Sequence, residues 1–196
     1  ALTLGRDELA KEVEDALHSA GLPAWRLELE VTENALMANI HSTIALLRRI
    51  REQGVSLSID DFGTGYSSLA YLKRLPLDTL KIDRSFIQDV PHSRADNNIV
   101  QAIMVMAHTL HLKVITEGVE TEEQYRFLQR LGCDAVQGYL LSRPVPLEDL
   151  HAVLENLNHR EERLMACCDT DQSASLDLFP DSPDCHADAS TAPPVR

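Results

Sequence analysis

The sequence predicts an α/β fold, a partial (β/α) barrel of about five βα units plus a leading helix. Three observations predict it. Short β-rich runs return at a spacing of about 28 residues, with helical stretches between them, which is the pattern of parallel βα units. The same sentence of residues recurs: a helix ending in leucine and basic residues, a turn, then a short apolar run closing on a polar side chain. It reads LLRRIREQGVSLSIDD, LKRLPLDTLKID, AHTLHLKVITEGVE and LQRLGCDAVQGY, with ALHSAGLPAWRLELEVTE ahead of them. Finally, Gly21, Gly54 and Gly132 stand where a helix C-terminus calls for a left-handed residue.

In chain order, a charged helical pattern at 6–20 closes at Gly21, and the first strand follows at 26–33 as RLELEVTE. A helix at 35–53 runs into Gly54 and the second strand, VSLSIDD, at 55–61. A shorter helix at 66–74 precedes the third strand, TLKID, at 79–83. The helix at 94–111 leads to the fourth, KVITE, at 113–117, and the helix at 121–131 to the fifth, AVQGY, at 135–139. A last helix at 147–165 carries an apolar stripe of Leu150, Val153, Leu154 and Leu157. The barrel domain is therefore expected over 1–166. Residues 167–196, rich in Asp, Ser, Pro and Ala, are expected to form a disordered tail.

A closed TIM-like barrel needs eight strands, so about three are expected ahead of Ala1. The competing fold is an open doubly wound sheet, which five strands could complete. It calls for a Gly-rich phosphate loop after its first strand, and LEVTENALM is not one.

Composition narrows the function classes. The chain has 44% hydrophobic and 25% charged residues, which is globular, and no apolar run approaches the roughly 18 residues of a membrane span. A formal charge of −13 repels nucleic-acid polymers. Cys133, Cys167, Cys168 and Cys185 form no CxxC pair, so a reduced, cytoplasmic protein is expected rather than a disulfide framework. His108 and His111 lie at the opposite barrel end from the acids discussed next and read as surface or packing residues.

The body's acidic residues gather at the ends of the predicted strands, where parallel α/β folds build their sites. Those ends read Glu30 to Glu33, Asp60–Asp61, Lys81 with Asp83, Glu117 with Glu120, and Gln137. Alternation puts Glu30 opposite Leu27, Leu29 and Val31, Asp60 opposite Leu57 and Ile59, and Lys81 opposite Leu80 and Ile82. Taken singly, Glu33 could cap a helix and Asp83 a turn. Together, Glu30, Asp60, Asp61 and Glu117 need cations to be tolerated. Oxygen ligands without histidine favour Mg²⁺ or Mn²⁺, and a pair of such ions suits displacement at a phosphate ester.

The string SIDDFGTGYSSLAYLKRLPLDTLKID, with LELEVTEN, VITEGVET and AVQGYLLSRPVP in the same order, resembles the EAL-domain family of cyclic-di-GMP phosphodiesterases. The resemblance implies a TIM-like barrel that hydrolyses cyclic-di-GMP to linear pGpG with two Mg²⁺ or Mn²⁺ ions. It implies Glu30 and Asp60 on the first ion, Asp60 shared with the second, and Asp61 on the second. Lys81 and Glu117 would contact the attacking water, Glu117 being the candidate general base and also a metal ligand. Gln137 would complete the floor of the site, with Asp83 and Glu120 as secondary contributors. Glu33 would anchor the loop Phe62–Ser68, which Gly63 and Gly65 make pliable. Arg143, in SRPVP, would meet a guanine or a phosphate, or else serve the Pro-rich turn.

The resemblance further implies a homodimer through the barrel, an upstream sensor or GGDEF-type domain, and a cytoplasmic location. The Glu-Ala-Leu signature and an Asn-bearing strand, both first-ion ligands, would lie ahead of Ala1, so residues 1–196 alone are expected to turn over little substrate. The alternative is a catalytically inactive EAL-type module that binds cyclic-di-GMP or a protein partner. Retention of Glu30, Asp60, Asp61, Lys81 and Glu117 favours the enzyme.

Overall fold

The computed structural model describes residues 6–37, 40–65 and 69–157, and the expected tail at 167–196 lies outside them. Contacts divide the chain into a unit ending at Pro144 and a second beginning at Val145.

The first unit holds one parallel sheet in the order β1-β2-β3-β4-β5, so every strand pairs with its neighbour in sequence. Its strands are β1 (Glu28–Thr32), β2 (Ser56–Phe62), β3 (Thr79–Ile82), β4 (Lys113–Thr116) and β5 (Ala135–Val136). Its helices are α1 (Arg6–Ala20), α2 (Glu33–Met37), α3 (Ile40–Glu52), α4 (Leu69–Leu72), α5 (Arg94–Thr109) and α6 (Glu122–Arg130). The sequence expectation of five βα units after a leading helix holds.

Three boundaries differ from expectation. The helix expected at 35–53 is two segments, α2 and α3. Only Leu69–Leu72 of the one expected at 66–74 is helical, residues 66–68 lying outside the described residues. The fifth strand stops at Val136, although Gln137 N still donates to Thr116 O at 2.8 Å. The chain turns there because the backbone at Gly138 lies against that of Val119, leaving no room for a side chain.

Alternation sorts the strand residues as the pattern predicts. Leu57, Ile59, Leu80, Ile82 and Val114 are each at most 1% exposed and face the helical layer. Ile44, Leu47 and Ile50 of α3, with Val100, Ile103, Met104 and Ala107 of α5, supply the other side of that core. Each large apolar side chain buried this way contributes roughly 1.5–3 kcal/mol. Gly21, Gly54 and Gly132 all have positive φ at the helix ends.

A repeated clasp closes the other rim of the sheet. Asp78, just before β3, accepts from Leu57 N of β2 at 3.0 Å and pairs with Arg51 at the end of α3 at 2.7 Å. Asp134, just before β5, accepts from Val114 N of β4 at 2.8 Å and meets His108 of α5 at 3.1 Å. In each case one carboxylate covers the first free amide of the preceding strand and binds a basic group of the preceding helix.

The second unit begins with a 3₁₀ turn at Leu147–Asp149 and continues as helical backbone over 150–157. The rest of the helix expected at 147–165 lies outside the described residues. No helix among the described residues is long and apolar enough to cross a membrane.

Burial of Asp134 works against its charge, but the hydrogen bond from Val114 N and the neighbouring His108 outweigh it and hold the carboxyl below its ordinary value of 3.8. A lowered pKa stabilises the fold above the unfolded value and loses that contribution as pH falls through the folded one. Asp134→Asn keeps an oxygen and removes the charge. It is expected to destabilise by less than about 1 kcal/mol at neutral pH, solvent screening the half-exposed pair. The difference is expected to begin shrinking near pH 3.8 and to vanish only below the lowered folded value, measured by urea unfolding across the pH range.

Candidate active site

Lys81 is the centre of the pocket. It stands on the face of β3 opposite Leu80 and Ile82, and its side chain is 6% exposed. Its Nζ lies 2.7 Å from Glu30 Oε1 of β1, 3.0 Å from Asp60 Oδ1 of β2 and 2.6 Å from Glu117 Oε1 just past β4. Four adjacent strands thus aim one ammonium and three carboxylates at a single point. Burial alone lowers a lysine pKa, but the carboxylates of Glu117, Glu30 and Asp60 around the ammonium outweigh it and drive Lys81 well above its ordinary range. The ammonium therefore stays charged throughout the neutral range.

Consecutive residues of a regular strand point to opposite faces, so Asp60 and Asp61 ought to part. The sheet prevents this with a bulge. Between β2 and β3 the pairing passes from Ile59↔Leu80 to Phe62↔Ile82, one residue too many on β2. Asp61 absorbs it in the left-handed region at φ 54°. An aspartate tolerates that conformation better than a branched residue does. Oxygens of Asp60, Asp61 and Glu117 consequently lie within 4.8 Å of one another. Burial, then the charges of Asp60 and Asp83, push the Asp61 carboxyl up, Lys81 offsetting only part of this.

These residues fit divalent cations. The donor set is all carboxylate oxygen, which suits hard ions. Asp60 Oδ1 is buried and, though 3.0 Å from the ammonium, receives no aligned hydrogen bond, so its lone pairs are open to a further cation. Four carboxylates against one ammonium leave the pocket strongly negative.

Loops at the same rim are pinned to one another. Glu33, 1% exposed at the start of α2, accepts from Gly63 N at 3.2 Å, while its Oε1 has no hydrogen-bond partner among the described residues. Gly63 has φ 98°, and a Cβ there would stand 2.8 Å from the Phe86 ring, so any other residue would strain the backbone and displace that ring. Gly65 is the last described residue of that loop. Asp83 caps the 3₁₀ turn Arg84–Phe86, accepting from Ser85 N at 3.0 Å. Glu120 pairs with Arg84 at 2.8 Å, and the Arg84 stem lies where a side chain at Gly118 would have to be. Gln137 sits just beyond β5, its carbonyl accepting from Val119 N at 3.1 Å. Arg143 stacks over the Tyr139 ring, 4.3 Å from its centroid, rather than among the acids.

Sequence reasoning passed over Gln124, which is 5% exposed beneath the loop after β4. Its signal was present: Thr121 three residues ahead of Gln124 is a capping-box pattern.

Lys81→Met removes the one cation from the centre of the acids. The variant is expected to lose about 2 kcal/mol when metal-free, less than the roughly 3–5 of a fully buried pair because Glu30 is half exposed. Mg²⁺ or Mn²⁺ is expected to restore much of it. The check is a melting curve in EDTA and in each ion, and equal Tm values would contradict the reading.

Known proteins resemble this chain in sequence and in fold. Residues 1–144 match the family model of the EAL domain. The chain is 64% identical over 154 residues to the cyclic di-GMP phosphodiesterase NbdA of Pseudomonas aeruginosa, a match covering 79% of this chain and 20% of NbdA. Among solved structures, the PaMucR phosphodiesterase in complex with c-di-GMP superposes with TM-score 0.70 at 51% identity, covering 72% of this chain and 57% of that one. The Klebsiella pneumoniae BlrP1 complex with manganese and cyclic di-GMP gives TM-score 0.64 at 36% identity, covering 68% and 34%. The chain thus spans about a fifth of the length of its curated relative NbdA. With the family model matching most of its length, and parallel βα units carrying the acidic rim, the chain belongs to the EAL domain family.

Proposed function

We propose that this chain carries the catalytic face of a phosphodiesterase that hydrolyses cyclic di-GMP to linear pGpG. The observation that carries the proposal is the convergence of Glu30, Asp60 and Glu117 on Lys81 Nζ, with Asp61 turned into the same pocket by its bulge. The complexes of the two solved relatives with cyclic di-GMP support the substrate.

Glu30, Asp60, Asp61 and Glu117 are the residues that would hold two Mg²⁺ or Mn²⁺ ions. When bound, such ions make water a nucleophile at neutral pH and offset the charge that builds on the phosphate. Water attacks the phosphorus as the bond to the leaving sugar oxygen breaks; Glu117 accepts the proton the water gives up, and the released sugar oxygen takes a proton from solvent. Lys81 keeps its proton and faces the growing negative charge as a fixed donor, which needs no reorganisation during the reaction. Glu33 holds the loop after β2 by Gly63 N. Gln137, Asp83, Glu120 and Arg143 are the secondary candidates for contact with the nucleotide. In the longer protein we place the domain in the cytoplasm, as a homodimer through the barrel, beside a sensor or GGDEF-type domain. The small share of NbdA that this chain covers supports such a larger context.

Asp60→Asn in the full-length protein is expected to abolish metal-dependent hydrolysis, a loss beyond the roughly 10–100-fold of removing an outer-shell partner. Its Tm is expected to stay within a few degrees of wild type. Chromatographic measurement of pGpG decides the matter, and near-normal turnover sinks the assignment.

A further inference from the structure

Gln124 is buried under the loop that leaves β4, and its amide uses both ends. Its Oε1 accepts from Glu120 N at 2.8 Å and Thr121 N at 3.0 Å. Its Nε2 donates to Ile87 O at 2.9 Å, with Gln88 O farther off at 3.5 Å. Ile87 is fully buried and ends the turn that follows Lys81 and Asp83. One side chain therefore ties the segment trailing Glu117 to the segment trailing Lys81, the two groups that meet at 2.6 Å in the pocket.

A helix cap alone does not require this. In a capping box glutamate serves as well as glutamine, and at a helix N-terminus its charge is favoured. Only glutamine offers Ile87 O a donor. Replacing that donor by a carboxylate would leave a buried carbonyl facing negative charge. The sheet itself joins the strand ends, Glu117 N donating to Ile82 O at 3.0 Å, but beyond that bond the other links between the two trailing segments are weaker or on the outside. The Arg84–Glu120 pair has side chains 51% and 41% exposed, so solvent screens it. Gly118 only packs against the Arg84 stem.

We propose that Gln124 is a positioning residue, holding Glu117 in register with Lys81 through its bridge to Ile87 O. This rests on the hydrolytic reading of the pocket and adds to it a group that touches neither the acids nor the substrate.

Two substitutions separate bridge from cap. Gln124→Glu keeps the shape and the capping oxygen but removes the donor. Thr121→Ala removes the hydroxyl that accepts from Gln124 N at 3.2 Å and leaves the bridge. In the metal-free full chain, Gln124→Glu is expected to speed amide hydrogen exchange across 84–90 at least about tenfold, and Thr121→Ala to leave that segment at the wild-type rate. In the full-length enzyme, Gln124→Glu is expected to lower kcat on the order of 10–100-fold with KM for cyclic di-GMP within about twofold. Thr121→Ala is expected to lower Tm and keep kcat. Gln124→Met, neutral and unable to donate, carries the same expectations if the carboxylate variant melts too low to assay. Wild-type exchange across 84–90 in the Gln124 variants, or equal kcat losses at both positions, overturns the proposal. A wild-type protein unable to hydrolyse cyclic di-GMP sinks the functional reading instead, and the exchange result then judges the bridge by itself.

Discussion

Acids aimed at one point repel one another, and two unit charges about 4 Å apart near a protein surface interact by about 4 kcal/mol. The sheet tolerates Glu30, Asp60, Asp61 and Glu117 together because Lys81 rises from β3 between them. That placement demands burial of an ammonium, which is costly unless opposite charges surround it. Carboxylates on β1, on β2 and just past β4 do so. The position of Lys81 therefore constrains the register of β1, β2 and β4 around β3, since a one-residue slip would turn its partners to the helical face. The same arrangement leaves more negative than positive charge, and that surplus is what makes the rim receptive to divalent ions.

Much of this was legible in the residues. Strict alternation with Leu80 and Ile82 on one face already aims Lys81 at the other, and the same logic aims Glu30 and Asp60. Recurrent helix-turn-strand strings disclosed the parallel units because each needs the same punctuation. Period-2 reasoning could not foresee how Asp61 joins Asp60, since the bulge is set by pairing with β3 and not by β2 alone. Nor could it foresee the early end of β5, which depends on Gly138 meeting the backbone of Val119. Gln124 escaped for another reason: its capping signal is local, whereas its second role lies with Ile87, distant in sequence.

The two rims of the sheet are secured by different means. At the acidic rim, Glu33 on Gly63 and Gln124 on Ile87 fasten loops to one another, and Asp83 on Ser85 caps a turn. Each link is a side chain gripping backbone, so its geometry is more exacting than an ion pair between two long side chains. At the opposite rim, Asp78 and Asp134 each grip a strand and a helix. Division of this kind suits a fold whose chemistry is confined to one end.

The clasp aspartates join positions only 21 and 20 residues apart along the chain, and the strands pair strictly in sequence order. Every pairing in the sheet is closed by a single βα crossover. Each new strand can dock on the one just laid down without closing a long loop, so the sheet can grow by accretion from any βαβ unit. Assembly of this sort ties the acidic pocket to a late event, because Lys81 finds all its partners only after β1 through β4 have lined up.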